Sequence, residues 1–150
     1  MRRLVDARSK GGAVKKVLAA VSLGIAAIGA GTAGGVALAG SEGKSTLKVT
    51  VKEMRIIPAA KQLPNGKVTF VVRNAGSIVH EMVVVRAQGR SKLGVREYKA
   101  VETGAVGEVE DVEPGKTKSV TLKLTRGTYF LICNEPGHYQ LGMRATLRAT

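Results

Sequence analysis

The chain has no tryptophan, two phenylalanines and three tyrosines among 150 residues, so aromatic side chains cannot supply its core. Val, Leu, Ile and Ala must do so. The plentiful valine favours sheet, because a branched β-carbon is stiff against a preceding helical turn. The same shortage removes the aromatic platform on which a basic surface stacks bases, so nucleic-acid binding is not expected despite a formal net charge of +13. A single cysteine excludes an internal disulfide framework. On its own that cysteine reads most simply as a plain buried one, with metal ligation as the other use that would occupy a lone thiol outside the cytoplasm.

The positive charge is unevenly spread. Residues 1–39 hold six basic side chains and one acid, which leaves +8 for the rest. After Gly40 the basic residues alternate with apolar ones instead of clustering, as on a soluble surface that could still attract an acidic protein or an anionic membrane.

Residues 1–39 read as a targeting or anchoring segment. A basic start ending in Lys15 and Lys16 precedes an uncharged stretch, 17–39, that closes in Ala37, Leu38 and Ala39 before Gly40 and Ser41. This is the pattern of a secretory signal cut after Ala39. The stretch also exceeds the roughly 20 residues with which a helix spans a bilayer, so an uncleaved anchor stays open. Arg2 and Arg3 lack the pattern that follows a twin-arginine pair, and no cysteine stands at the cleavage point to carry a lipid. The domain at 45–150 is therefore expected to work extracytoplasmically: periplasmic, secreted, or held on the outer side of the membrane through 17–39.

From Ser45 the pattern changes to a period of two. Leu47, Val49 and Val51 point one way, while Thr46, Lys48, Thr50 and Lys52 point the other. Further strands are expected at 55–57, 67–73, 80–85, 116–124, 128–133 and 143–148, separated by turn residues at 64–66, 74–76, 114–115 and 126–127. Many short strands with such punctuation make an all-β sandwich or barrel. The stretch 86–113, basic and then acidic, reads as one long connection with a short helix near 95–101.

The two histidines both sit where strands end or loops turn. His80 opens an apolar strand, while Cys133, His138 and Met143 follow one another at five-residue intervals. A loop of that span can fold back so that thiolate, imidazole and thioether face one point. Two imidazoles and a thiolate near one plane, with a weak axial thioether, suit both Cu+ and Cu2+. Taken singly each residue has an ordinary reading, as a surface histidine, a core methionine or a turn. Their joint order is far more specific, and His80, Cys133, His138 and Met143 are the expected ligands of one copper ion.

Two segments, FVVRNAGSIVHE at 70–81 and CNEPGHYQLGM at 133–143, resemble the signatures of the cupredoxins, the blue copper proteins of the plastocyanin and azurin type. The 133–143 loop is most similar to that of the rusticyanin and sulfocyanin subgroup. The similarity covers roughly 47–147, with 89–107 unmatched. It implies a Greek-key β-sandwich of about seven or eight strands and a type 1 copper whose ligands map onto the same four residues. Two departures stand out. Many members carry Asn or Ser after the first histidine ligand, where this chain has Glu81; that carboxylate either hydrogen-bonds across the gap between the ligand loops or faces solvent. The aromatic packing near the site is also left to Phe70, Tyr129, Phe130 and Tyr139.

The expected function is single-electron transfer through the exposed edge of His138, by a monomer. Pro136, Gly137, Leu141 and Gly142 would frame that edge as a small apolar docking patch, with Arg144 and Lys92 steering an acidic redox partner such as a cytochrome or an oxidase domain. An enzyme is not expected, because protein fills every ligand position and leaves none for substrate. Two rivals remain open: a copper carrier or resistance protein that releases its metal readily, and a metal-free sandwich serving as an interaction module.

Overall fold

The computed structural model describes residues 43–150. The expected export segment, 1–39, lies outside them.

Among the described residues there are eleven strands and no helix: β1 (Gly43–Lys52), β2 (Arg55–Pro58), β3 (Gln62–Leu63), β4 (Gly66–Asn74), β5 (His80–Arg86), β6 (Val95–Arg96), β7 (Lys99–Ala100), β8 (Ala105–Val112), β9 (Thr117–Leu124), β10 (Gly127–Ile132) and β11 (Arg144–Ala149). The seven strands expected from alternation are all present. One sheet runs β2-β1-β4-β9 and a second runs β3-β11-β10-β5-β8. In the first, β1 lies parallel to β4 with Leu47 beside Phe70 and Val49 beside Val72. In the second, β10 is antiparallel to both β5 and β11.

The sheets face each other across one core. Leu47, Val49, Val51, Val68, Phe70, Val72 and Leu124 from the first meet Met82, Val84, Val109, Val112, Tyr129, Leu131 and Leu147 from the second, all buried. On β1, β4, β5 and β10 these are every other residue, as a pleat demands, while on β8 a register shift sets Val109 and Val112 three apart. Tyr129 closes this core at its base, its hydroxyl donating to the carbonyl of Thr125 at 2.8 Å and accepting the Thr125 N–H at 3.1 Å.

The stretch 86–113 departs from the expected connection. The short helix near 95–101 is not formed. That segment is instead a β-hairpin, in which β6 pairs with β7 across Glu97 and Tyr98. Both turn residues have positive φ, 48° and 65°, which is the two-residue geometry whose twist matches paired strands. Asn-Gly normally announces such a turn, and Glu-Tyr gives no such signal. The acidic portion is β8, the edge partner of β5. Its burial is mostly one-sided and weak, so it carried no clear alternation.

The connection also has a packing role. Val83, Val85, Phe130 and Ile132 form the outer face of the second sheet, and Leu93, Ala100 and Tyr139 cover it in a second buried cluster. Strand β5 is therefore buried on both faces, which explains its unbroken apolar run. The four aromatic residues expected near the site divide between the two clusters, Phe70 and Tyr129 inside the sandwich, Phe130 and Tyr139 outside it.

Candidate metal centre

His80 is the first residue of β5, and a bulge fixes its aim. It pairs with Val112 of β8 whereas Met82 pairs with Val109, so Glu110 and Asp111 together oppose Glu81. Asp111 takes a positive φ of 47° to make this possible. The approach to His80 is held by Asn74, which is fully buried. Its side chain donates to the carbonyls of Ile78 and Val112, each at 2.7 Å, and accepts the N–H of Gly76 at 2.8 Å. Every polar atom of this amide is thus used to shape the 74–80 turn.

Cys133 follows β10, and the loop after it folds back as expected. Met143 donates its N–H to the carbonyl of His138 at 3.0 Å and accepts the N–H of Cys133 at 3.1 Å. The last ligand candidate is thereby tied by backbone to the other two. Gly142, at φ 97°, makes the final turn into Met143. From outside, Gly137 donates to the carbonyl of Tyr98 at 2.8 Å, and the Tyr139 hydroxyl accepts the N–H of Leu93 at 2.9 Å.

These elements bring the donors together. The Cys133 sulfur lies 3.3 Å from His138 Nδ1 and 3.9 Å from His80 Nδ1, and the two rings meet edge to face at 5.2 Å. Ligand atoms of all three residues fall within 4.8 Å of one another. A first-row ion with bonds of about 2.0 Å to nitrogen and 2.3 Å to sulfur, 120° apart, would hold those atoms about 3.7 Å apart. The two sulfur–nitrogen separations lie on either side of that value, so the three donors stand close enough together to share one ion. Met143 is fully buried against the same core. A thiolate, two imidazoles and a thioether form the donor set of one copper ion.

The local electrostatics follow from burial. The Cys133 thiol is pushed up by desolvation, opposed by backbone N–H groups of Glu81 and Glu135 that donate to the sulfur. Those two donors would stabilise a thiolate, and a bound cation would add far more. His80 is held down chiefly by burial and then by His138, which keeps it a neutral imidazole with a free lone pair. Glu81 accepts the N–H of Asn134 and so ties the two ligand loops together, the first of the two roles open to it. Burial and the neighbouring Glu135 raise its carboxyl to about 6. His138 is half-buried, with Pro136, Leu141 and Gly142 exposed beside it, Leu141 by 66%. Tyr98, exposed by 72% on the hairpin tip, extends this patch beyond the residues expected from sequence. Arg144 stacks over the Tyr139 ring at 5.1 Å from its centroid.

Three further residues shape the site without being ligand candidates: Asn74, Asn134 and Glu53. The first two could be suspected from an Asn at a strand-ending turn and an Asn beside the cysteine. Nothing in the sequence near Glu53 marks it.

A two-sheet sandwich that brings two imidazoles and a thiol together, with a buried methionine tied by backbone into the same loop, defines a candidate single-ion metal-binding β-protein. The chain belongs to the cupredoxin-like domain family, whose model matches residues 18–147. No curated protein matches the sequence. The fold is similar to that of auracyanin B, at 26% identity and a TM-score of 0.54, over 71% of this chain and 88% of that one. Auracyanin A, a "blue" copper protein from Chloroflexus aurantiacus, aligns at 21% identity and 0.53, over 72% and 100%. Rusticyanin from Thiobacillus ferrooxidans aligns at 17% and 0.55, over 72% and 79%.

Proposed function

We propose that this protein is an extracytoplasmic carrier of single electrons, with His80, Cys133, His138 and Met143 as the ligands of its copper. The observation that carries the reading is the convergence of the Cys133 sulfur and two imidazole nitrogens within 4.8 Å, on a loop whose backbone also locks Met143 in place. Copper bound there supplies the one-electron couple. The chain supplies a preset cage: His80 and Cys133 are fully buried, and both ligand loops are cross-tied by Glu81 and Asn134. Such a cage changes little between oxidation states, which keeps electron exchange fast. Complete burial of two donors also favours holding the ion over delivering it.

His138 is the half-buried ligand, so its outer edge offers the short path to a docked partner. The apolar surface of Pro136, Leu141 and Tyr98 suits a small, brief interface. Arg144 and Lys92 lie exposed outside it and would steer an acidic cytochrome or oxidase domain. The expected signal or anchor at 1–39 supports work outside the cytoplasm, a placement in which a lone thiol is protected by its metal.

Adding cupric ion to the purified chain tests the reading. An intense blue thiolate-to-copper absorption that bleaches on reduction and returns on oxidation is expected. A colourless protein, or one that yields its copper at once to a chelator, would sink it.

A further inference from the structure

Glu53 stands in the turn between β1 and β2, far in sequence from every ligand candidate. One of its carboxylate oxygens, Oε1, accepts the N–H of Ser77 at 2.6 Å, the N–H of Ile78 at 3.0 Å and the Ser77 hydroxyl at 3.2 Å. The same oxygen lies 3.6 Å from Nε2 of His80. That nitrogen is fully buried and has no hydrogen-bond partner among the described residues. The space is closed from the other side as well: a β-carbon added at Gly76 would stand 2.5 Å from both carboxylate oxygens. Glycine at 76 therefore leaves the room that the carboxylate fills.

The imidazole has two nitrogens, and Nδ1 is the one turned toward the Cys133 sulfur. If Nδ1 gives its lone pair to a metal, the ring proton must sit on Nε2. A buried N–H requires an acceptor, and the atom facing it is Glu53 Oε1, a few tenths of an ångström beyond hydrogen-bond length. We propose that Glu53 is a positioning residue of the metal centre: its carboxylate receives the Nε2–H of His80, fixes the tautomer that presents Nδ1, and sets a negative charge behind the ring. This rests on the copper reading of the site. The charge favours the more positive oxidised ion, so Glu53 lowers the reduction potential while its hydrogen bond raises copper affinity.

Three variants of the full chain separate these effects. Glu53→Gln keeps an oxygen where Oε1 stands and removes the charge; Glu53→Ala removes both. Gly76→Ala keeps the charge in the chain but displaces the carboxylate. The readouts are the reduction potential, competition for cuprous ion against a chelator, and nitrogen NMR of the His80 ring in the cuprous protein, with thermal unfolding to verify folding. The expected wild-type signal is an Nε2–H that exchanges slowly. In Glu53→Ala and Gly76→Ala that proton should exchange freely, with copper bound about tenfold to a hundredfold more weakly. In Glu53→Gln the proton and the affinity should survive while the potential rises. A mere brace for the Ser77 turn would leave the potential of Glu53→Gln unmoved. If the wild type turns blue but all three variants match it in potential, affinity and ring signal, the role of Glu53 is overturned and the copper reading stands. If the wild type takes no copper, the copper reading fails first.

Discussion

Asn134 pairs with Ala100 as one strand pairs with another: its side-chain oxygen accepts the Ala100 N–H at 2.6 Å and its nitrogen donates to the Ala100 carbonyl at 3.0 Å. The same nitrogen donates to Glu102 at 2.5 Å. The residue after Cys133 thus clamps the β6–β7 hairpin onto the ligand loop. Asn134→Ala would leave the buried Ala100 groups without partners, and a loss of about 2–3 kcal/mol is expected. Urea unfolding of the copper-free chain measures it, and faster copper release should accompany it.

Glu81 gives a pH dependence of opposite sign to the usual carboxylate. Its folded value, about 6, lies above the ordinary 4.5, so between those values the folded chain binds the extra proton. Stability of the copper-free protein should therefore fall as pH rises from 4.5 through 6, and this part should be absent from Glu81→Gln. The variant is expected to match wild type at pH 4 and exceed it at pH 7.5. Equal stabilities at both values would contradict the assignment.

Met143 should tune the centre without being required for its colour. A thioether lone pair stabilises the more highly charged ion more strongly, so Met143→Leu is expected to keep the blue band and raise the potential. Cys133→Ser should abolish the band, since the colour comes from the thiolate. Visible spectra and redox titration of the two variants decide both points.

Tyr129 gives a prediction independent of any metal. Its hydroxyl bonds both the carbonyl and the N–H of Thr125 at the base of the core, with the ring buried. Tyr129→Phe should cost about 1–2 kcal/mol in thermal or urea unfolding, while the visible spectrum of the copper-loaded chain stays unchanged.

The legible parts of the chain were those in which chemistry and geometry act over short spans. Leu47, Val49 and Val51 alternate with lysines and threonines, and period two can mean only a half-buried strand. Cys133, His138 and Met143 share one loop, so their spacing limits where their side chains can meet. The hairpin at 95–100 was illegible because Glu97 and Tyr98 hold a left-handed turn without the residues that favour it; the contacts of Tyr98 and Ala100 with the ligand loop hold it there. Strand β8 was hidden because a register shift sets its buried Val109 and Val112 three residues apart among acidic neighbours, which breaks the period of two.

By itself the sequence determined the strand pattern, the soft donor set and the loop that presents three of its members. Only the tertiary structure decided how His80 is aimed, because that depends on a bulge in β8, an amide at Asn74 and a carboxylate at Glu53, brought together from three separate segments. Local pattern fixes which atoms can bind a metal. The direction in which a buried ring points is set by whichever distant groups satisfy its other side, and no short stretch of chain contains them.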